Sequence, residues 1–203
     1  MNKFAISLCL AAVSICAQAD AALIGLTQSA PDITSDFVSV SYSASTDTFT
    51  ADGFAGYIDL NNLPPPEDLY IDNGVFHISA IVDSDGVMQS GTISILGGVV
   101  GSPGSGTLLT GTLADFGFQD AGGNLFDFVF QVTGGDLASM FGPQIGVNLN
   151  AVNSGFAGTF KTSFANSGES GYSDTFAVPE PATLALLLAA GAMAMRRRRR
   201  VAR

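Results

Sequence analysis

His77 is the only histidine in the chain, so imidazole-based acid–base chemistry would have to pass through it. A hydrolytic triad also needs a nucleophile beside that base, and the body contains no Gly-x-Ser-x-Gly elbow. Zinc is poorly served by one histidine and two cysteines, Cys9 and Cys16, that both lie near the start of the chain. Asp83-Ser84-Asp85-Gly86 reads as the first half of a calcium loop, which makes Asp83 and Asp85 weak metal candidates. The following Val87, Met88, Gln89 and Ser90 add no carboxylate. An Asp-Gly hairpin turn accounts for the same residues without a metal. Asp47 with Asp52, or Asp115 with Asp120, could converge as paired carboxylates for glycoside hydrolysis. The chain has no Trp and only four Tyr for sugar stacking. No catalytic residue is therefore assigned, and an enzyme is not expected.

The elements that must position these groups have a period of two. Phe76, Ile78, Ala80 and Val82 alternate with Val75, His77, Ser79 and Ile81, and Val87 to Leu96 follows the turn as a second run, broken at Gly91. Thr107 to Phe118 reads as another strand. Phe126, Phe128, Phe130 and Val132 share one face, as do Ile145, Val147 and Leu149. Phe156, Phe160 and Phe164 form a further alternating set, and Val38, Val40 and Tyr42 alternate with serines. Within the body only Asp136 to Phe141 carries a helical signal, enough for one short turn. Short strands separated by frequent turns argue for an antiparallel sandwich or barrel. The expected fold is all-β, a single antiparallel β-sandwich of jelly-roll or Ig-like type over residues 22–165. Leu63 to Asp68, with three consecutive prolines, reads as a stiff surface connector. Residues 166–177, rich in Ser and Gly, read as a flexible spacer.

Both ends of the chain carry addresses. Met1-Asn2-Lys3 followed by an apolar stretch from Phe4 to Ala17 reads as a signal peptide over residues 1–21. Cleavage is expected after Ala19 or Ala21, and either cut removes both cysteines and leaves the body without disulfide or thiolate. Ile15 before Cys16 is too bulky for a lipid-attachment site. At the other end, Val178-Pro179-Glu180-Pro181 precedes an uncharged helix-forming run, Ala182 to Met195, and then Arg196, Arg197, Arg198, Arg199 and Arg200. At about 1.5 Å per residue that run covers roughly 21 Å, short of a hydrocarbon core of about 30 Å. Snorkelling arginine stems offset part of the mismatch, and the five guanidinium groups belong on the cytoplasmic side.

This order of parts over residues 178–203 resembles the PEP-CTERM sorting domain of bacterial envelope proteins. The resemblance implies recognition by an exosortase that cuts near Pro179-Glu180-Pro181; the signal peptide predicts export by Sec-type machinery, and the apolar run with its arginines predicts a short transmembrane helix as a transient anchor. The resemblance further implies a bacterium that secretes an exopolysaccharide, with the product at the cell surface or released.

Charge narrows the role of the body. All 18 acidic residues fall between Asp20 and Glu180, where Lys161 is the sole basic residue, so that span has a formal charge of −17. Nucleic acid is excluded as a partner because phosphate contacts need clustered Lys and Arg. Calcium is a natural counter-ion for such a body, although no cofactor is expected. The function expected is a non-enzymatic structural or surface role associated with exopolysaccharide. A calcium-dependent lectin-like module and a small extracellular polymer hydrolase are the alternatives.

Overall fold

The computed structural model describes residues 22–61, 69–101, 105–120, 123–166, 168 and 170–178. The expected signal peptide with its cleavage residues Ala19 and Ala21, the expected Leu63–Asp68 connector, Pro179 to Pro181, the apolar run and Arg196 to Arg200 lie outside the described residues. The described strands are β1 (Asp32–Ser43), β2 (Thr48–Asp59), β3 (Leu69–Val82), β4 (Met88–Val99), β5 (Ser105–Phe118), β6 (Leu125–Gly134), β7 (Gln144–Asn150), β8 (Phe164–Ala165) and β9 (Gly171–Ala177), with one helical turn, α1 (Ala138–Phe141), between β6 and β7.

The expected sandwich is overturned. β1 to β7 pair in sequence order, and β9 enters between β7 and β1, so eight antiparallel strands close into a barrel. A sandwich leaves its two sheets unpaired at the margins, whereas here each of the eight strands has hydrogen-bonded neighbours on both sides. β1 makes closure possible by bending. It shifts register against β9 between Ser35 and Val38 and against β2 between Asp36 and Ser39, with Phe37 at φ 53°, and such a bulge increases bend and twist. Beyond the bend, Ser41 and Tyr42 pair with β8 instead of β9.

Closure also corrects the expected spacer. Gly171 to Ala177 is the strand that seals the barrel, pairing Val147 with Thr175 on one side and Ile33 with Thr175 on the other. Its inward residues, Ser173 and Thr175, are small and polar. Both are fully buried, as is Ser35 opposite Ser173. Among the described residues their hydroxyls have no hydrogen-bond partner, and each such group costs about 1–3 kcal/mol.

The interior is aromatic. Phe49, Phe76, Phe126, Phe128 and Phe130 are fully buried with the alternating aliphatics of β3 and β7. Phe156, Phe160 and Phe164, expected to alternate along one strand, instead close one end of the barrel. Phe156 and Phe160 lie on an irregular segment and only Phe164 is in a strand, β8. Phe160 sits edge-on to Tyr42 at 4.9 Å and to Phe118 at 5.0 Å, a preferred aromatic geometry. β4 runs unbroken through Gly91, and α1 forms where the helical signal was read.

Ahead of β1, residues 22–30 form a strap over the outer face of β5, β6 and β7. It presses so close that a Cβ on Gly117 would lie 2.5 Å from the Ala22 carbonyl oxygen, and one on Gly146 3.1 Å from the Leu26 side chain. Glycine is what lets the strap lie flat there.

Candidate functional site

The Asp83–Gly86 turn joins β3 to β4. Asp83 accepts hydrogen bonds from Asp85 N at 3.0 Å, Val87 N at 2.9 Å and Gln89 Nε2 at 3.0 Å, while Gly86 takes φ 80°. The Asp83 carboxylate therefore organises the hairpin, and Asp85 is an exposed turn residue beside it. Among the described residues no group of three or more His, Cys, Asp or Glu side chains is placed to hold a metal ion. Asp47 sits in the β1–β2 turn near the Tyr42 hydroxyl, well apart in role from Asp52. The Asp115 carboxylate bonds its neighbour Phe116 N.

His77 lies on the outer face of β3. Its Nδ1 is 2.6 Å from Asp52 Oδ1 on β2, and its cross-strand partner on β4 is Ser94. Asp52, His77 and Ser94 thus follow one another in the order of a hydrolytic triad. No hydrogen bond joins His77 to Ser94 among the described residues. The backbone N–H groups around them are committed to the β2–β3–β4 ladder, which leaves no oxyanion donors aimed at a reacting carbonyl. The row is a set of exposed hydrogen-bonding groups on a sheet face.

Next to it lies a feature that sequence reading missed. Phe37, 64 % exposed, stands edge-on to Phe54, 59 % exposed, with ring centroids 6.4 Å apart. The β2–β3 register breaks beyond the Gly53–Phe76 pair, and the exposed Phe54 and Val75, which follow Gly53 and precede Phe76, both flank that pair at the break. Val75 in turn opposes Leu96 on β4. The result is an apolar row across four strands, with Asp36, Asp52 and Asp72 along its margins. At its β4 end the row runs into an open groove of about 360 Å³ lined by Asp72, Asn73, Leu96, Gly97, Gly98, Gly106 and Thr107. Gly97, at φ 142°, has no room for a Cβ, which would meet Ile71 at 2.6 Å. The signal in the sequence was a break in alternation. Phe37-Val38 and Phe54-Ala55 put two apolar residues in succession, which in a strand forces one of them outward or demands a bulge.

On the opposite side of the barrel, Asp127 (β6), Asn148 (β7), Asp174 (β9) and Thr34 (β1) lie in one cross-strand register. Asp127 accepts a hydrogen bond from Gly25 N at 3.1 Å. Burial beneath the strap raises its pKa, outweighing the backbone donors of Gly25, Ile24 and Leu26. Burial also raises Asp174, aided by the Asp32 charge. A carboxyl with a higher pKa folded than unfolded binds its proton more tightly in the native state. Stability therefore rises as pH falls through those raised values, and the gain is complete below the ordinary carboxylate range. The thermal midpoint is expected to rise as pH is lowered from about 7 toward the ordinary carboxylate range, about 4, and Asp127→Asn with Asp174→Asn should shrink that gain. A midpoint that drops on this mild acidification contradicts the assignment.

The sorting motif emerges directly from the sheet. Val178 N donates to the Gln144 carbonyl oxygen at 3.1 Å, so Pro179 follows a residue still bonded to β7. No helix among the described residues is long and apolar enough to cross a membrane. A family model for the PEP-CTERM protein-sorting motif matches residues 177–200. No curated protein and no solved structure matches the chain.

Proposed function

We propose that this protein is a non-enzymatic surface component whose barrel holds matrix polysaccharide along the outer face of β1 to β4. The sorting motif implies an exported protein processed at the membrane, with an exosortase as its processing partner. The observation that supports a carbohydrate partner is the solvent-facing Phe37–Phe54–Val75–Leu96 row beside the Asp72–Thr107 groove. Pyranose rings present an apolar C–H face and a rim of hydroxyls, and this surface offers aromatic and aliphatic faces bordered by Asp and Asn acceptors. The −17 formal charge of the span from Asp20 to Glu180 disfavours acidic glycans and favours neutral or amine-bearing ones.

Titration calorimetry of the full chain with a neutral glucan, a free-amine glucosamine polymer and a polyuronate tests this reading. Binding to one of the first two, weakened about tenfold or more by Phe37→Ser with Phe54→Ser, is the expected result, a loss of about 1.4 kcal/mol per decade. Binding that ignores both substitutions rejects the row as the site. Binding abolished by chelating calcium favours the lectin-like alternative. Shortening of the polymer that disappears in His77→Ala favours the hydrolase.

A further inference from the structure

We propose that, before processing, the barrel rests on the membrane through the rim from which the tail leaves, with Tyr57, Tyr70, Val100 and Met140 seated among the lipid headgroups. The inference rests on the tail being membrane-inserted and adds a second contact made by the folded body itself.

Topology defines the rim. The end of β9 shares it with the starts of β1, β3, β5 and β7 and the ends of β2, β4 and β6. Four large side chains are about half exposed there. Tyr57, near the end of β2, opposes Tyr70, the second residue of β3, with ring centroids 5.7 Å apart. Val100 follows β4 and donates its N–H to the Tyr70 carbonyl. Met140 projects from α1, just before the β7 start that holds Val178. Tyrosine suits the membrane–water interface because its ring is apolar and its hydroxyl stays wet.

Chain length brings this rim to the lipid. Val178 is fixed to Gln144, and the apolar run starts at Ala182. Four residue steps, fully extended, span at most about 14 Å. That upper limit exceeds a headgroup layer of roughly 5–8 Å per leaflet by less than about 10 Å, so an inserted tail keeps the rim within reach of the surface. Asp59 and Asp136 also belong to this rim, and their charge selects a zwitterionic over an anionic surface.

The test uses the full chain with Cys9→Ala and Cys16→Ala, carrying one introduced cysteine labelled with an environment-sensitive fluorophore. Val100→Cys reports the rim and Ser84→Cys the opposite end. The chain is reconstituted in phosphatidylcholine vesicles containing lipids spin-labelled near the headgroup, and co-flotation is measured in parallel. The expected result is co-flotation with about half the emission at position 100 quenched and little change at position 84, consistent with insertion of about 5–10 Å. Quenching should fall when Tyr57→Ser and Tyr70→Ser are added or when phosphatidylglycerol replaces the zwitterionic lipid. Co-flotation with equal, low quenching at both positions overturns rim docking and leaves the anchor standing. Failure to co-float overturns both. A spectral change without lipid that grows with protein concentration assigns the rim to a second copy and also overturns the proposal.

Discussion

A chain ended at Ser170 is expected to lose the barrel, while a chain ended at Val178 keeps it. Removing β9 strips the ladders to β1 and β7 together, and each lost bond is worth about 0.5–1.5 kcal/mol. It also removes Phe176, fully buried on the outer side where it covers Gly146, a burial worth about 1.5–3 kcal/mol. Together these match the whole stability of a typical domain, about 5–15 kcal/mol. The two exposed edges would then template association. Circular dichroism and gel filtration check the result. A monomeric chain ending at Ser170 with an unchanged melting curve would show that closure is dispensable.

Phe126→Ala should cost about 3–5 kcal/mol, the range for emptying a large aromatic from a core. Phe126 is fully buried and its ring lies 5.3 Å from Phe49, 5.1 Å from Phe156 and 6.0 Å from Phe164. It thereby joins the barrel wall to the aromatic cap that closes one end. Phe54→Ala, at an exposed position of the same residue type, should stay within about 0.5 kcal/mol. Urea denaturation of the two variants compares them directly. Equal losses would contradict the assignment of Phe54 to the surface and Phe126 to the core. This contrast also guards the polysaccharide experiment, since substitutions in the outer row must leave the fold intact to be informative.

Sequence patterning was a sound guide wherever one strand face had to be apolar by itself. Phe76, Ile78, Ala80 and Val82 are all buried, as are Phe126, Phe128 and Phe130. The Asp83–Gly86 hairpin formed at the turn its residues called for, with the Asp83 carboxylate spent on backbone N–H groups. Patterning failed where burial and composition part company. Ser173 and Thr175 look like linker residues yet face the barrel interior, and Phe37 looks like core yet stands in solvent because β1 bulges beside it. Phe156 and Phe160 are buried, as apolar residues should be, but lie outside any strand. A segment that caps a barrel buries aromatics as readily as a strand does, with no ladder to impose a period of two.

The sequence by itself determined the route and the class of this protein. A sorting motif is read from contiguous residues, and an all-β body follows from alternation and turn residues that act locally. Its acidity, likewise, is a sum over composition. Only the tertiary structure decided that the sheet closes, that β9 is the closing strand, and that Phe37, Phe54, Val75 and Leu96 form one surface. Those outcomes rest on pairings such as Ile33 with Thr175, far apart along the chain. Sandwich and barrel share the same period of two, so the choice between them lies in which edges meet.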